Sequence, residues 1–540
     1  MSGIHSTHDS FAFIQARLGS TRFPKKILKS IPEDSGVTFL DHIHRRLSSV
    51  FEHNQIVFLI PKNDLESIHF LKSRGYLYFC GSELDVRDRF RKAALEFSAK
   101  HIFRLTADNP FIDINSIRYL YEAILEIKDT YYSLAMVGLP LGMGVECFSA
   151  ASLLYQSTET NLDRHKEHVS LHIKEFPEIH KQYRLIPPHF QQDDHSQTPD
   201  SDELSNLRIT VDEKKDFELI CEIWKRLGDQ NPIFGVEEIV SLYKTNPDIF
   251  SINKNVEQVL FALPKPVNQT KRVNILYGNP KNYGYGHLER CKSLSIYLQI
   301  HGYDVKLIDH FKESESNIPH IFDTRETEFP VAHSFYIDNL NHPPNRLNAC
   351  FFLPHPSFPN LNQNQLSYYS SPLLEQKTNR KEVKGSILVY AGQLDENASN
   401  QIDEFLLQFQ KSTISPEYPS FQTIKRIGGK NPKNPKIEFQ ERISYIQFLQ
   451  EMDYAEWIFT YFGQTMVEGM AKGKKIALIG ISEIHETLGL YADKTFGVPY
   501  LGSLIELPKM KNFPFNTMPK KINLIRDAHT QILNWLNSID

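Results

Sequence analysis

Short apolar segments with the character of strands alternate with amphipathic helical segments along the first half of this chain. Residues 11–16, 53–61 and 101–106 predict strands, because each contains an apolar run of the length that crosses a buried sheet. Residues 85–100 predict a helix with apolar side chains at helical spacing and with Arg87 and its other basic residues turned outward. This alternation predicts an α/β fold with a largely parallel sheet, which binds ligands at the carboxyl ends of its strands.

The composition is that of an ordinary globular protein with more than one domain. The chain has 540 residues, 41% of them hydrophobic and 23% charged, so two or three domains are expected. A net charge of −5 argues against a dedicated nucleic-acid binder and favours local basic pockets, such as one for phosphates. Five cysteines without a CxxC pair fit a reducing cytoplasm. No segment resembles a signal peptide or reaches the length of a membrane span, so we expect a cytoplasmic protein.

The chain divides near its middle. Residues 191–206 are polar and acidic and predict a surface loop inside the first half. A proline-containing stretch follows residue 244, and a fresh strand is predicted at residues 273–277. We therefore expect a first domain at residues 8–246, a linker at 247–270 and a second domain at 271–540.

The loop after the first predicted strand carries the residue types that bind a triphosphate. Gly19 lets backbone N–H groups approach phosphate oxygens, and Ser20 adds a small hydroxyl. Arg17, Arg22 and Lys26 supply positive charge, with arginine able to bind phosphate through two N–H groups. The same composition also fits a solvated basic loop, and the loop alone does not decide between the two.

Two later aspartates favour the phosphate site. Asp108 follows the strand predicted at residues 101–106, and Asp212 follows a further strand predicted at residues 207–211. Carboxylates at the ends of neighbouring strands can hold Mg²⁺ against nucleotide phosphates. Either aspartate could instead cap a helix, but Asp113 and Asp216 are better placed as caps because apolar helical runs follow them.

These segments resemble the cytidylyltransferases of the spore-coat-polysaccharide type, which are relatives of the CMP-sialic acid and CMP-Kdo synthetases. The resemblance covers most of residues 11–245, in the family's order, through IQARLGSTRFPKK (14–26), GSELDVRDRF (81–90), RLTADNPFID (104–113), GMGVECFS (142–149) and LRITVDEKKDFELI (207–220). It implies a GT-A-like nucleotidyltransferase domain that uses CTP, Mg²⁺ and a sugar acid, and that is often a homodimer. Lys25 departs from the family, which usually has Gly there, and Gly144 stands where an Asp is common.

The resemblance also implies roles for individual residues. The CTP phosphates would be lined by the loop cations and Ser20, and the base or ribose would face Gly81 and Ser82. Asp108 and Asp212 would hold the metal. Glu146 and His168 would lie near the sugar, although a structural role for a lone histidine is as well supported.

The second half begins with a glycine-rich turn. The strand predicted at residues 273–277 leads to Gly284, Gly286 and His287, and a helix follows that ends near Gly302. A glycine-rich turn at a helix N-terminus favours anions, and a neutral His287 there could act as a base or simply pack on the turn. A further strand–loop–helix unit carries Gly463 and Glu468, and Glu468 is either a ribose ligand or a solvated helix residue.

Residues 271–505 resemble the UDP-sugar hydrolase of pseudaminic acid synthesis, through Gly284-x-Gly286-His287-x-x-Arg290-Cys291. The resemblance implies a GT-B-like domain made of two Rossmann-like halves, with the family's catalytic histidine at His287 and a UDP-sugar as substrate. Two alternatives stay open, namely a glycosyltransferase and a binding module without catalysis. The chain as a whole is then expected to be a bifunctional enzyme of nonulosonic-acid-type surface glycan synthesis.

Overall fold

The computed structural model forms two compact units, one of Met1–Lys271 with Gln299–Asp304 and one of Arg272–Leu298 with Val305–Asp540. The residues that the structure describes are 9–20, 22–191, 204, 206–256, 271–280, 285–324, 331–339, 348–350, 371–375, 381–410, 421–510, 513–514, 516–520 and 528–539.

The first unit contains the following strands and helices: β1 Ser10–Gln15, α1 Phe39–Leu47, β2 Ile56–Pro61, α2 Leu65–Arg74, β3 Tyr78–Gly81, α3 Val86–Glu96, β4 His101–Thr106, α4 Ile114–Ile124, β5 Tyr132–Met136, β6 Glu146–Ser149, α5 Ala150–Leu154, α6 Asp163–Glu167, α7 Leu171–Glu175, β7 Lys181–Leu185, α8 Lys214–Leu227 and α9 Val236–Thr245.

A mixed seven-stranded sheet in the order β3-β2-β1-β4-β6-β5-β7 forms its centre. The pairs β1–β2, β1–β4 and β2–β3 are parallel, whereas β6 runs antiparallel to both β4 and β5. The parallel part carries the strands predicted from the sequence, and their carboxyl ends lie together at one edge of the sheet.

The helix α3 packs on one face of this sheet, so the apolar residues that alternate along β1 meet the apolar residues that recur at helical spacing along α3. Alternate residues Phe11 and Phe13 of β1 point to one face, where they meet Phe90 and Ala93 of α3 in one buried cluster. The predicted apolar stripe of this helix is therefore confirmed. Its basic residues were wrongly expected to turn outward as a group, because Arg87 is buried and donates to the carbonyls of Tyr155 and Thr160.

The strand predicted at residues 207–211 is reduced to one isolated bridge, between Leu141 and Arg208. The partner segment turns immediately afterwards, because Met143 N donates to Pro140 O and Gly142 has a φ of 96°. No longer ladder can form along a backbone that turns away, so Asp212 follows a bridge and not a strand. Asp113 caps α4 as predicted, whereas Asp216 is the third residue of α8 and bonds back to the backbone N–H of Glu213.

Apart from Lys271 and Gln299–Asp304, which belong to the first unit, the second unit contains these elements: β8 Lys271–Tyr277, α10 Gly286–Ile300, β9 Tyr303–Ile308, β10 His320–Asp323, β11 Ser334–Ile337, β12 Ala349–Cys350, β13 Val383–Gly392, α11 Glu396–Leu407, β14 Thr423–Gly428, β15 Ile437–Gln440, α12 Tyr445–Tyr454, β16 Ala455–Thr460, α13 Gln464–Ala471, β17 Lys475–Gly480, α14 Glu483–Phe496, β18 Tyr500–Ser503 and α15 Ala528–Ile539.

Two sheets organise the second unit, a five-stranded one in the order β12-β11-β10-β8-β9 and a six-stranded one in the order β15-β14-β13-β16-β17-β18. Every neighbouring pair in the six-stranded sheet is parallel. Its strands β13, β16 and β17 are largely buried on both faces, as strands covered by helices on both sides require. Within the described part of the chain, no helix combines the length and apolarity needed to cross a bilayer.

Candidate active site

The loop that follows β1 is fixed to its surroundings at several points. Leu18 N donates to the Asp64 carboxylate at 3.0 Å, and the hydroxyl of Ser20 accepts from Phe23 N at 3.3 Å. Gly19 is exposed with open space beside its Cα. Lys25 adopts a left-handed conformation with φ of 56°, which is the region that glycine adopts most easily. The described residues of this loop are therefore anchored, and Arg17, Arg22 and Lys25 among them are exposed.

Lys26 lies at the point where the two predicted metal ligands converge. Its Nζ is 3.2 Å from Asp108 Oδ2, 2.9 Å from Asp212 Oδ1 and 2.6 Å from the carbonyl oxygen of Val211. The lysine side chain is only 9% exposed, whereas the two carboxylates are about a quarter exposed. Residues that are 82 and 186 positions away from Lys26 in the chain are thus held around one cation.

Asp212 has further cationic partners. Arg208 Nη2 lies 2.6 Å and Arg22 Nη2 3.2 Å from its Oδ2 atom. Burial alone would raise the pKa of Asp212, but the bonds and charges of Lys26, Arg208 and Arg22 lower it overall. The carboxylate is therefore held ionised, which both a metal ligand and an ion-pair partner require.

The backbone brings Asp108 and Asp212 together. Asp108 lies in the turn directly after β4, and its carbonyl accepts from Val211 N at 3.0 Å. The segment that leads to Asp212 also bonds to Leu141 through the N–H groups of Leu141 and Ile209. Gly142 allows this approach, because a Cβ there would lie 2.6 Å from the backbone N of Thr210.

The donor set fits a magnesium ion that is shared with a substrate. The carboxylates of Asp108 and Asp212 converge on the ammonium group of Lys26. Carboxylate oxygens are the ligands that Mg²⁺ prefers. Among the described residues, no cluster of three or more acidic, histidine or cysteine side chains could form a complete metal cage. Asp108 and Asp212 alone would supply only part of the coordination sphere of Mg²⁺, and water and phosphate oxygens would supply the rest.

Gly81 and Ser82 lie beside a buried arginine that the sequence reading did not single out. A Cβ at Gly81 would lie 2.6 Å from Cγ of Arg89, so this position requires glycine. Arg89 Nη1 donates to the carbonyl of Ser82 at 3.2 Å. Burial, and after it the positive charge of Arg17, lower the pKa of Arg89 to about 10. The exposed Arg17 is therefore close enough for its charge to act on Arg89, which itself contacts Gly81 and Ser82.

The Glu146 carboxylate is held by three side chains. Arg104 Nη1 donates to it at 3.0 Å and the Ser170 hydroxyl at 2.8 Å, and Lys174 also contacts it. Burial opposes ionisation, but the charges of Lys174 and Arg104 lower the pKa of Glu146 to about 2. His168 lies two residues before Ser170 and is half-buried.

In the second unit, His287 belongs to a buried ionic cluster at the carboxyl end of β10. Its Nδ1 lies 2.7 Å from Asp323 Oδ1, and the Arg290 guanidinium contacts both oxygens of the same carboxylate. Arg290 Nη1 also reaches Asp338 Oδ2 at 3.3 Å. Burial alone would raise the pKa of Asp323, but Arg290 and His287 bring it well below its ordinary value.

Glu468 is buried in α13. The alternative from the sequence, that Glu468 is a solvated helix residue, is therefore wrong. Its Oε1 accepts from the Tyr445 hydroxyl and from Gln464 Nε2, the latter at 2.7 Å. Gln464 also approaches the start of α10, because a Cβ at Gly286 would lie 3.1 Å from Gln464 Oε1. Gly463 precedes α13 with open space beside it, and Gly284 lies outside the described residues.

Sequence reasoning missed Arg89, Lys174 and Asp323 as members of these clusters. Arg89 and Asp323 are buried ionisable residues, which the apolar periodicity of their elements does not reveal. Asp323 nevertheless left a signal that a search for carboxylates at predicted strand ends could have found, since it is the last residue of β10.

Comparisons with known proteins address the first unit. Residues 11–256 match the family described as Cytidylyltransferase. Over 248 residues the chain is 30% identical to the spore coat polysaccharide biosynthesis protein SpsF of Bacillus subtilis (strain 168). The aligned region covers 45% of this chain and 96% of that protein. Over 247 residues it is 31% identical to an uncharacterised protein of Methanocaldococcus jannaschii, across 45% of this chain and 94% of that one.

Among solved structures, a cytidylyltransferase from Leptospira borgpetersenii is 24% identical, with 48% of this chain and 100% of that chain covered and a TM-score of 0.39. The extent of the match to SpsF, nearly the whole length of that protein, decides the assignment. Through its first half, the chain belongs to the cytidylyltransferase family.

Proposed function

We propose that the first unit transfers a cytidylyl group from CTP to a hydroxyl of a sugar acid and releases pyrophosphate. The observation that carries this proposal is the convergence of Asp108 and Asp212 on Lys26, directly beside the basic loop after β1. This combination of two carboxylates, a buried lysine and an exposed arginine-bearing loop suits a nucleoside triphosphate with its divalent cation.

Different residues of the first unit would contact the phosphates and the metal during this reaction. The sugar hydroxyl attacks the α-phosphorus, and the bond to the β-phosphate oxygen breaks as pyrophosphate leaves. Arg22 and Lys26, with Arg17 at the other end of the loop, would stabilise the negative charge that develops on the phosphates. Asp108 and Asp212 would hold Mg²⁺, which supplies further charge neutralisation when bound.

The sugar is expected at the Glu146 cluster. Glu146 stays ionised, so it can accept a hydrogen bond from a sugar hydroxyl and orient it. Arg104 and Lys174 together carry one more positive charge than Glu146 neutralises, which favours an acidic substrate. An acid of the nonulosonic type, destined for a surface glycan, fits this balance, and SpsF is by its name a protein of spore coat polysaccharide synthesis.

The test is pyrophosphate release by the full chain with CTP, Mg²⁺ and a panel of nonulosonic and other sugar acids. We expect release that requires both CTP and one class of acid, and that falls at least about a hundredfold in Asp108→Asn because a metal ligand is lost. Asp129→Asn changes the same chemistry at an exposed position, where the carboxylate accepts a hydrogen bond from the Tyr183 hydroxyl, and it serves as the matched control. No CTP binding by the wild-type protein, or an unchanged rate in Asp108→Asn, would contradict the proposal.

For the second unit we propose hydrolysis of a UDP-sugar with His287 as the base, in a GT-B-like arrangement of two Rossmann-like halves. The specific support is the bond between His287 Nδ1 and Asp323. An ionised carboxylate only accepts hydrogen bonds, so Nδ1 carries a proton and Nε2 is the ring nitrogen that would act as the base. Glu468 and Gly463, across from Gly286, are the candidate nucleotide contacts.

The products distinguish this proposal from its alternatives. UDP-sugars are incubated with the full chain, with and without sugar acceptors, and the products are identified by mass spectrometry. Release of free sugar from the UDP-sugar without a sugar acceptor, and its loss in His287→Asn, would support the hydrolase. Sugar found only on an acceptor supports a glycosyltransferase, and nucleotide binding without turnover supports a binding module.

A further inference from the structure

We propose that Lys26 is an internal cation that occupies the divalent-metal position of the first unit until a triphosphate draws it away. Lys26 and the metal then compete for the same two carboxylates, and metal binds well only together with nucleotide. This inference rests on the proposed nucleotidyl transfer and describes how the same site is loaded.

The hydrogen bonds of Lys26 show why it cannot serve two roles at once. A lysine ammonium has three N–H donors and accepts nothing. In this structure its Nζ has three acceptors, namely Asp108 Oδ2, Asp212 Oδ1 and the carbonyl of Val211. All three donors are used, so Lys26 must leave at least one of these partners before it can bind a phosphate oxygen.

Both carboxylate oxygens of Asp212 are likewise already in contact with cations. Lys26 occupies one oxygen of Asp212, and Arg208 and Arg22 occupy the other. A divalent cation at the shared position would lie within a few ångströms of the ammonium, where two positive charges repel each other strongly in a partly buried site. Of these cations, Lys26 alone also contacts Asp108, so its departure is the step that frees both ligands.

A triphosphate provides the reason for Lys26 to leave. Its oxygens offer the ammonium a new set of acceptors and bring additional negative charge to the metal position. Removal of Lys26 from the carboxylates therefore favours metal binding, and metal binding favours the phosphate-bound lysine by the same free energy, because such coupling is reciprocal.

The first measurement uses Mn²⁺ alone, without nucleotide, and counts free Mn²⁺ by electron paramagnetic resonance in titrations of the full-length protein. We expect Lys26→Met to bind Mn²⁺ about tenfold more tightly than the wild type, within the usual range for coupled sites. The matched control is Lys25→Met, which removes the neighbouring charge from an exposed pair with Glu66 and should shift the affinity less than about twofold.

The second measurement is CTP binding in EDTA by calorimetry. Lys26→Met should weaken it, because a phosphate ligand is lost. Opposite effects on Mn²⁺ and on CTP are the signature of a cation that exchanges between two partners. A lysine that merely supports the structure of the loop would, on removal, weaken both.

Lys26→Gln guards against a folding artefact, because its amide can still donate to Val211 O without a charge, and circular dichroism checks the fold of each variant. Tighter Mn²⁺ binding in both Lys26 variants supports the inference. Unchanged or weaker Mn²⁺ binding in the folded variants overturns it, whatever CTP does. If the wild-type protein binds no CTP, the proposed function is contradicted instead. The Mn²⁺ affinities of the wild type and the Lys26 variants still show whether Lys26 competes with the metal for the two carboxylates.

Discussion

The Glu146 carboxylate couples the stability of the first unit to pH. Its folded-state pKa of about 2 lies below the ordinary value of 4.5, because Lys174 and Arg104 favour the charged form over the opposing effect of burial. A carboxyl with a lowered pKa stabilises the folded state fully above about pH 5, and this contribution is lost as the pH falls through about 2. Glu146→Gln removes it and leaves two cations uncompensated.

We expect Glu146→Gln to lower the free energy of unfolding at pH 7 by an amount on the order of 2 kcal/mol. The difference from the wild type should shrink to about half or less at pH 3, because the carboxyl is then largely protonated in the unfolded chain but still mostly ionised in the folded one. Urea unfolding followed by circular dichroism at both pH values measures it. Glu66→Gln, which breaks the exposed pair with Lys25, should have little effect at either pH. A pH-independent difference would contradict the assigned ionisation.

Residue types could be predicted from the sequence better than their partners. The basic loop and both aspartates could be identified because they follow strand-like segments in a recognisable order. That Asp108 and Asp212 share Lys26 could not be predicted, since the contact joins three distant parts of the chain. Arg87 shows the opposite error, because an arginine that finds two carbonyl acceptors can be buried on a helix face where sequence patterns place it in solvent.

At the scale of elements, the approach between the segments around Leu141 and Arg208 determines where Asp212 lies. Gly142 makes this approach possible, through a φ of 96° and the absence of a Cβ beside Thr210 N. Gly142→Ala should destabilise the first unit by about 2 kcal/mol, since it combines an unfavourable backbone conformation with a clash. Because the clash displaces the segment that ends at Asp212, the rate of cytidylyl transfer should also fall.

Gly144→Ala is the matched control for this prediction. It lies two residues away, its φ is not positive, and a Cβ there would meet only Leu139 Cδ1 at 3.7 Å. Thermal unfolding and the pyrophosphate assay on both variants provide the comparison. Equal effects of the two substitutions would show that the glycine at position 142 is not what sets the position of Asp212.

Elements with a strong period were predictable, and those defined by long-range pairing were not. β4 was predicted at its observed bounds, and the helix predicted from His287 to near Gly302 is observed as α10. The segment at residues 207–211 looks like a strand in isolation. Whether it becomes one depends on how long its partner runs alongside, and the turn at Gly142 ends that partner after one residue pair.

At the scale of the whole molecule, the first unit extends beyond the boundary predicted at residue 246. Pro247–Ser251 forms a short 3-10 helix in which Phe250 is buried. Asn253 is also buried, and its Nδ2 donates to the carbonyl of Arg208 at 2.9 Å and to Asp216 Oδ1 at 2.8 Å. The start of the predicted linker therefore supports the segment that carries Asp212. Proline content indicated a break, but it did not reveal that the chain packs before it leaves the unit.

Two fragments test the importance of this extension. A fragment of residues 1–256 keeps Asn253 and its bonds, whereas a fragment of residues 1–246 loses them and leaves Asp216 with one partner fewer. We expect the longer fragment to retain cytidylyl transfer within about threefold of the rate of the full chain. The shorter one should unfold more easily by about 2 kcal/mol, because buried acceptors lose their donor, and it should lose most of its activity. Asn253→Ala in the full chain separates the side chain from the truncation and should reproduce about half of the loss of stability. Equal stability and equal rates for the two fragments would place the functional boundary at residue 246.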